Sequence, residues 1–214
     1  MPLLSVILPA HNQSKLVKQI LEKINSLAID KEIIVVDDGS TDDTGSILKN
    51  LNYNNLKVIH HTSRRGKGAS LLTGLSHAAG EFTALQDIDL EYNPLDYFSL
   101  IEEVKKEKAG LILCARRLRN RLPAGLLNLF FNLKLSDYAA PCKLARKATF
   151  DELDLSANGA EIDIEIICNA VKKNIRILEV PLSYAPSRNE KNKTIRWAGG
   201  FRALFSIFKY RFRN

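Results

Sequence analysis

The sequence contains few cysteines and no long uninterrupted apolar run, and both absences exclude whole classes of protein. Cys114, Cys142 and Cys168 are far apart and form no Cys-x-x-Cys pair, which argues against a disulfide framework and a zinc site. We expect three buried thiols in a protein of the reducing cytoplasm. No stretch reaches the roughly 18 consecutive apolar residues of a membrane-spanning helix. The apolar residues 3–8 end at Pro9 and lack the basic start of a secretory leader.

Internal repeats, low-complexity linkers and recognised nucleic-acid-binding modules are also missing. With 214 residues, 45% of them hydrophobic and 26% charged, the chain is expected to form a single domain over residues 1–214. The net charge of +7 indicates an anionic partner, such as a phosphorylated substrate or a membrane surface, unless the basic residues only form solvated faces. Without a reading module, nucleic acid is not the expected partner. The basic clusters are Arg116, Arg117, Arg119 and Arg121, and Arg196, Arg202, Lys209, Arg211 and Arg213.

Short apolar runs typical of strands alternate with helical patterns along the first half of the chain. This alternation predicts an α/β fold with a mainly parallel, doubly wound sheet flanked by helices. Thr41 is the predicted N-cap of one helix, with Asp42 and Asp43 in its first turn. A C-terminal amphipathic helix is predicted from about Arg196. The predicted strands are residues 3–8, 32–36, 56–60, 82–86, 110–115 and 175–180, and the other predicted helices begin at Ser14 or span residues 66–79, 95–106 and 161–173.

Polar residues follow the predicted strands at the sheet edge where open parallel sheets bind their ligands. The first strand leads into Pro9, Ala10 and His11, and the second ends in Asp37 and Asp38. Either aspartate can accept hydrogen bonds from a nucleobase or a ribose hydroxyl. The alternative is that this acidic segment is only a turn and a helix cap.

Asp87 and Asp89 follow the fourth predicted strand, with Ile88 between them. Side chains two positions apart on an extended segment share one face, and a divalent cation with oxygen ligands relieves the repulsion between two close carboxylates. Glu91 continues the alternation and is a third candidate ligand. Because an Asp-x-Asp pair is a weak signal by itself, a solvated acidic loop is the alternative.

Residues 65–68, with the sequence Arg-Gly-Lys-Gly, precede a predicted helix. Backbone amides at a helix start, glycines that allow close approach and the charge of Lys67 are features of a phosphate-binding turn. The spacing is not that of a P-loop, so the motif by itself does not indicate an NTPase.

Taken together, these motifs resemble those of the family 2 nucleotide-sugar glycosyltransferases, the group that includes dolichyl-phosphate mannose and glucose synthases and their bacterial relatives. The resemblance extends over nearly the whole chain. It rests on residues 5–12 (SVILPAHN), 33–42 (IIVVDDGSTD), 65–69 (RGKGA), 86–94 (QDIDLEYNP), 163–165 (DIE), 179–184 (EVPLSY) and 193–197 (KTIRW).

The resemblance implies the Rossmann-like GT-A fold and a hexosyltransferase that inverts the transferred sugar in a single displacement. Residues 1–115 would bind a UDP- or GDP-hexose, residues 116–195 would bind the acceptor, and residues 196–214 would form the amphipathic terminal helix. Asp87 and Asp89 would hold Mg²⁺ or Mn²⁺ on the donor diphosphate. The implied acceptor is a polyprenyl phosphate, whose ionised oxygen needs positioning more than a general base.

The resemblance also implies roles for charged residues farther along the chain. Asp163 or Glu165 would act as general base if the acceptor were a hydroxyl, and a favourable charge at a helix N-terminus is the alternative for both. Four basic residues match positions that would steer the donor diphosphate and the acceptor phosphate: Arg116, Lys143, Arg188 and Lys193.

The chain departs from the family pattern in several places. His11 and Gln13 stand beside the nucleoside where the family has an aromatic residue and an acid, and the segment between Arg116 and Asp137 is short. Donor base, sugar and acceptor are therefore open. Three functions remain: transfer to a polyprenyl phosphate, transfer to a hydroxyl of a glycan or lipid, and a catalytically decayed protein that binds nucleotide sugars or serves as a scaffold.

Two segments combine apolar and basic residues in a way that suits a membrane surface. Aromatic residues within 197–212 have helical spacing with basic residues between them, and such a helix can lie in an anionic bilayer surface. Residues 122–135 can do the same. The alternative for both segments is packing on the sheet or on another subunit of a homo-oligomer. The expected location is the cytoplasm, with peripheral binding to the cytosolic face of a membrane.

Overall fold

The computed structural model describes residues 1–88, 93, 95–106, 109–115, 121–181 and 205–210, without the side chains of 121–124. Within these residues, seven strands form one sheet. They are β1 (Leu4–Ala10), β2 (Lys31–Asp37), β3 (Leu56–His60), β4 (Phe82–Gln86), β5 (Leu111–Ala115), β6 (Cys142–Arg146) and β7 (Ile177–Pro181).

In the described part of the chain, seven helices connect or flank these strands, and residues 205–210 are also helical. The helices are α1 (Val17–Asn25), α2 (Thr44–Lys49), α3 (Lys67–His77), α4 (Asp96–Lys105), α5 (Arg121–Phe131), α6 (Lys147–Glu152) and α7 (Ile162–Lys172).

The strand order is β3-β2-β1-β4-β6-β5-β7, and all neighbouring pairs are parallel except those of β6, which runs antiparallel to β4 and β5. From β1 the chain moves outward to β2 and β3, and it then returns to place β4 on the other side of β1. This reversal of strand order opens a crevice beyond the carboxyl ends of β1 and β4, where sheets of this kind bind ligands.

Both faces of the sheet are buried, which explains why its central strands are mostly apolar. Val6 and Leu8 of β1 contribute to one hydrophobic cluster, and Ile7 contributes to the other. In β2, Ile33 and Ile34 divide between the two clusters in the same way. Because side chains alternate between the faces of a strand, a sheet covered on both sides needs apolar residues at every position.

The mainly parallel α/β sheet is confirmed, and the predicted strands 56–60 and 82–86 have the predicted bounds. Strand β6 was not predicted from the sequence, and it carries Lys143 at a position that is 2% exposed. A strand with a lysine and an arginine in five residues lacks the apolar run that marks a buried strand. Its lysine is tolerated because tertiary contacts supply a partner for the charge.

The expected N-cap at Thr41 is wrong. Helix α2 begins at Thr44, and the residue before it, Asp43, makes no side-chain capping bond. Asp42 accepts hydrogen bonds from the backbone N–H of Thr44 (3.0 Å) and of Ser14 (3.2 Å), so its carboxylate ties the start of α2 to the segment before α1. Thr41 instead donates its N–H to the side-chain carbonyl of Asn12 (2.9 Å).

The terminal helical residues 205–210 divide between core and surface. Ile207 and Tyr210 belong to the hydrophobic cluster that also contains the buried residues of α7, whereas Phe205 and Phe208 are exposed. Among the described helices, none combines the length and the apolar character that crossing a bilayer requires. The three cysteines are buried free thiols, as predicted.

Gly74 lies in the middle of α3, where a side-chain methyl would overlap Cγ2 of Ile7 on β1. We expect Gly74→Ala to lower the free energy of unfolding by about 1–2 kcal/mol, because overpacking of about 1–3 kcal/mol outweighs a helix-propensity gain of at most about 1 kcal/mol. Urea denaturation followed by circular dichroism measures the change.

The matched control is Gly125→Ala in α5, where a methyl would meet nothing within 4 Å. It should be neutral or stabilise the protein by up to about 1 kcal/mol. A Gly74→Ala protein as stable as the parent would contradict the close contact between α3 and β1.

Candidate active site

A cavity of about 380 Å³ opens where β1 and β4 end. Its volume lies in the usual range of small-molecule sites, roughly 300–1,000 Å³. The sequence did not point to three of its lining residues, Arg64, Ser70 and Pro141. The other lining residues are all among those predicted to bind the donor or its metal: Pro9, Ala10, His11, Gln13, Asp38, Lys67, Asp87 and Ile88.

Asp38 is buried, and its carboxylate holds the turn before α3. Its Oδ1 accepts the N–H of Arg65 (2.8 Å) and lies 2.8 Å from Nδ1 of His61, and its Oδ2 accepts the N–H of Gly66 (2.8 Å). Burial alone would raise the pKa of Asp38, but these hydrogen bonds outweigh it and lower the pKa. Contacts within the protein thus use three of the roughly four acceptor positions of this carboxylate.

Asp37 lies beside Asp38 in sequence but does not line the cavity. Its Oδ1 accepts the N–H of Ser40 (3.1 Å), and its Oδ2 lies 3.0 Å from Nδ1 of His60. Its side chain is 7% exposed. Of the two acidic candidates for the nucleoside, only Asp38 therefore borders the space where a ligand fits.

His11 and Gln13, two departures from the family pattern, form part of the cavity wall. Nδ1 of His11 lies 2.9 Å from the backbone carbonyl of Asp38. A carbonyl only accepts, so Nδ1 carries the proton and Nε2 of the neutral ring is an acceptor. The N–H of Gln13 donates to Oγ1 of Thr44 (2.7 Å), which anchors the wall to α2.

The glycines of the Arg-Gly-Lys-Gly motif are explained by chain packing. Gly66 has a φ of 106°, and a side chain at Gly66 or Gly68 would overlap backbone carbonyls of residues 157–158. The N–H of Ala69 donates to the carbonyl of Asn158 (3.0 Å), which fixes this contact. The close approach that the sequence assigned to a phosphate is thus made by the loop before α7, and phosphate binding at this turn stays a prediction.

Lys67, the first residue of α3, joins two carboxylates that are far apart in sequence. Its Nζ lies 2.8 Å from Oδ1 and 3.1 Å from Oδ2 of Asp87, and 3.1 Å from Oδ2 of Asp163. The Lys67 side chain is three-quarters buried, with 24% of it exposed. Burial would lower the pKa of Lys67, but the two carboxylates outweigh it and raise the pKa, so the side chain stays charged.

Asp163 is buried between two ammonium groups. Its Oδ1 accepts a hydrogen bond of 2.6 Å from Nζ of Lys143, which also donates to the carbonyl of Ala140 (2.7 Å). Burial would raise the pKa of Asp163, but the positive charges of Lys143 and Lys67 outweigh burial and lower this pKa below its ordinary value. An aspartate held in its ionised form by two cations is a poor proton acceptor.

Glu165, the other candidate base, is fully buried, and its carboxylate binds groups of the protein. Its Oε2 accepts the N–H of Ser156 (3.0 Å) and of Ala157 (2.8 Å), and its Oε1 accepts the Ser156 hydroxyl (2.8 Å). Glu165 therefore shapes the loop that packs against the start of α3.

Five predicted site residues lie outside the described part of the chain: Asp89, Glu91, Arg116, Arg188 and Lys193. Within residues 1–88, 93, 95–106, 109–115, 121–181 and 205–210, no group of three or more His, Cys, Asp or Glu side chains is arranged to hold a metal ion. Asp87 is the predicted metal ligand that the structure describes, and its N–H donates to the carbonyl of Pro141 (2.8 Å), which continues the pairing of β4 with β6.

Arg64 had a sequence signal, since it directly precedes the Arg-Gly-Lys-Gly motif. Pro141 had none. It reaches the cavity only because β6 lies beside β4, and β6 has no strand pattern of its own.

The Lys143–Asp163 pair yields a stability prediction, because removing one member of a buried ion pair leaves the other charge unpaired. We expect Asp163→Asn to lower the free energy of unfolding by about 3–5 kcal/mol. Lys143→Met should have a smaller effect, because Asp163 keeps Lys67, and the double variant should lose less than the sum of the two. Urea denaturation of the four proteins gives the coupling energy, and additive effects would contradict the pair.

The same proteins test the sign of the pH dependence. Since the pKa of Asp163 is lowered, its stabilising contribution is complete above the ordinary aspartate pKa of about 4 and is lost as the pH falls below it. The stability difference between the parent and Asp163→Asn should therefore narrow below about pH 4.

The fold and the sequence are similar to those of known glycosyltransferases. A crystal structure of glucosyl-3-phosphoglycerate synthase from Mycobacterium tuberculosis with Mn²⁺, UDP and glucosyl-3-phosphoglycerate superimposes with a TM-score of 0.77 at 19% identity, covering 98% of this chain and 80% of that one. The mannosyltransferase PcManGT from Pyrobaculum calidifontis, in complex with GDP-Man and Mn²⁺, gives a TM-score of 0.71 at 23% identity, with 100% and 65% covered. These likenesses confirm the expected GT-A fold.

Among curated proteins, the dolichyl-phosphate beta-glucosyltransferase of Saccharomyces cerevisiae is 28% identical over 221 residues, which cover 85% of this chain and 66% of the yeast protein. Five such relatives are longer than this chain, which spans between 29% and 66% of their lengths. Residues 5–124 match the family described as Glycosyl transferase family 2, and this match covers more than half of the chain. The chain belongs to glycosyl transferase family 2.

Proposed function

We propose that this chain transfers a hexose from a UDP- or GDP-sugar to a polyprenyl phosphate, with inversion at the anomeric carbon and with a divalent cation. The observation that carries the proposal is the cavity beyond β1 and β4, whose lining includes Asp38, Lys67 and Asp87. The UDP bound to one structural neighbour, the GDP-Man bound to the other and the name of the yeast relative, a dolichyl-phosphate beta-glucosyltransferase, support the choice of substrates.

The residues present fit a hard divalent cation such as Mg²⁺ or Mn²⁺. The carboxylate of Asp87 borders the cavity with 37% of its side chain exposed, and both of its oxygens already lie beside a cation, the Lys67 ammonium. Carboxylate oxygens are the ligands that these ions prefer. Asp87 would hold the ion together with Asp89 and Glu91. A bound ion stabilises the negative charge that develops on the departing diphosphate.

The state of the carboxylates favours a phosphate acceptor over a hydroxyl. Transfer to a hydroxyl requires a group that takes up its proton, whereas a phosphate oxygen is ionised near neutral pH. Asp163 is bound to two ammonium groups, and Glu165 is bound to the backbone of residues 156–157, so neither of these candidates is available as a base. No observation specifically favours the hydroxyl or the scaffold alternative.

The basic residues would position the two phosphorylated substrates. Arg64 borders the cavity and is exposed, so its guanidinium can reach a donor diphosphate. Arg116, Arg188 and Lys193 keep their predicted roles toward the diphosphate and the acceptor phosphate. Holding the acceptor oxygen in line with the anomeric carbon is the main catalytic task in such a displacement.

A donor screen tests the proposal. The purified chain is mixed with UDP- and GDP-hexoses, with or without a short polyprenyl phosphate, and nucleotide release is measured. We expect release that depends on the polyprenyl phosphate and stops with EDTA. Asp87→Asn should lower kcat/KM by about 10²–10³-fold, the usual effect of removing one group that stabilises developing charge. Asp154→Asn, at an exposed surface pair with Lys173, is the matched control.

Full activity in EDTA would remove the metal role of Asp87. A folded sample that binds neither UDP nor GDP in the presence of Mn²⁺ would exclude sugar transfer to either acceptor. Sugar transfer to a glycan hydroxyl, with none to polyprenyl phosphate, would overturn the choice of acceptor.

We also propose that the chain reaches its lipid acceptor by binding to an anionic membrane surface from the cytosolic side. Phe130 of α5 and Phe208 pack with ring centroids 5.1 Å apart, which joins the two segments predicted to contact a membrane. Leu129 and Phe205 beside them are 75% and 73% exposed. Residues 116–136 and 191–214 contain several basic residues and no aspartate or glutamate, which suits anionic lipid headgroups.

Vesicle co-sedimentation tests the membrane proposal. Leu129→Ser and Phe205→Ser should each weaken binding to anionic phospholipid vesicles about tenfold, because each buried apolar side chain contributes about 1.5–3 kcal/mol. Phe98→Ser on α4, a residue that is 43% exposed, is the control and should not change binding. Binding that is equal for all variants, or absent for the parent, would overturn the proposal.

A further inference from the structure

The Lys67 ammonium occupies the position from which a cation neutralises Asp87. It lies within 3.1 Å of both carboxylate oxygens of Asp87, on the cavity side where 37% of the Asp87 side chain is exposed. Every direct contact between Asp87 and a divalent ion would place that ion close to the ammonium. A lysine charge and a metal charge at one carboxylate repel each other, so the two cations compete.

The backbone of Lys67 cannot move away to relieve this competition. Asp38 accepts the N–H groups of the two preceding residues, and Ala69 donates to the carbonyl of Asn158. Gly66 and Gly68 on either side are packed against residues 157–159. The first turn of α3 is therefore fixed, and only the side chain of Lys67 can change its partner.

A second carboxylate is ready to keep the ammonium. Asp163 lies 3.1 Å from Nζ of Lys67 and is 5% exposed, and Lys143 binds its other side at 2.6 Å. The row Asp87, Lys67, Asp163 and Lys143 alternates in sign and is neutral as a whole. A lysine that leaves Asp87 thus stays paired, which keeps a buried charge from being stranded.

We infer that Lys67 is a built-in counter-ion of Asp87, which an incoming divalent cation must displace and which Asp163 then retains. This inference rests on the metal role of Asp87 in the proposed function. Lys67 is a positioning residue in this account: it holds the Asp87 carboxylate in place and neutralised in the metal-free protein, and it weakens metal binding by competing for the same oxygens.

Electron paramagnetic resonance of free Mn²⁺ measures metal binding without any turnover. We expect Lys67→Met to bind Mn²⁺ about tenfold more tightly than the parent, a difference of about 1.4 kcal/mol. Lys67→Arg keeps the charge and should retain the weaker binding of the parent. Lys49→Met removes an exposed charge at the end of α2, far from the cavity, and controls for net charge. Asp87→Asn should abolish the binding in both backgrounds.

The outcomes separate the inference from the function on which it rests. If the parent binds Mn²⁺ through Asp87 but Lys67→Met binds no more tightly, the counter-ion role is overturned and the metal site stands. If neither protein binds Mn²⁺ while both remain folded by circular dichroism, the metal site and the counter-ion role are both overturned. Tight binding by Lys67→Arg would also overturn the role, because it would show that the charge does not matter.

Discussion

A row of four charged side chains extends from Asp87, the residue after β4, to Lys143 on β6. Lys67 bridges Asp87 and Asp163, and Lys143 holds Asp163 from the far side. Asp87 directly follows β4, and the other three residues belong to α3, α7 and β6, so the row joins two helices to the neighbouring strands β4 and β6. Buried charges are tolerated only when each is paired, and the placement of these elements is therefore coupled through their charges.

A second set of contacts fixes the position of Lys67 within this row. Asp38 fixes the turn that leads into Lys67, and Glu165 fixes the loop that packs against Gly66 and Gly68. The sequence predicts that both carboxylates contact the donor or the acceptor. In the structure they act mainly on backbone amides, and through them they determine where the Lys67 ammonium lies.

The sequence predicted much of the fold because the apolar strands and the helical patterns are local signals. The edge at which ligands bind followed from these strands and from the acidic residues after β2 and β4. Strand β6 was not predicted because Lys143 interrupts its apolar pattern. The helix start at Thr44 was not predicted because the carboxylate of Asp42, which accepts the N–H of Thr44, also binds the N–H of Ser14, which is distant in sequence. In both cases a partner distant in sequence outweighed the local preference.

What the sequence by itself determined is the family, the alternation of strands and helices in the first half of the chain, and most of the residues that line the cavity. Only the tertiary structure decided which charge pairs with which. Lys67 and Asp163 are 96 positions apart, and their contact depends on how α7 packs against the start of α3. Local patterns carry no information about such a pair, because the free energy of a buried charge depends on the partners that folding brings to it. The sequence therefore predicts that Lys67 belongs to a phosphate-binding turn and that Asp163 is a candidate general base. In the structure, Lys67 and Asp163 form an ion pair with each other.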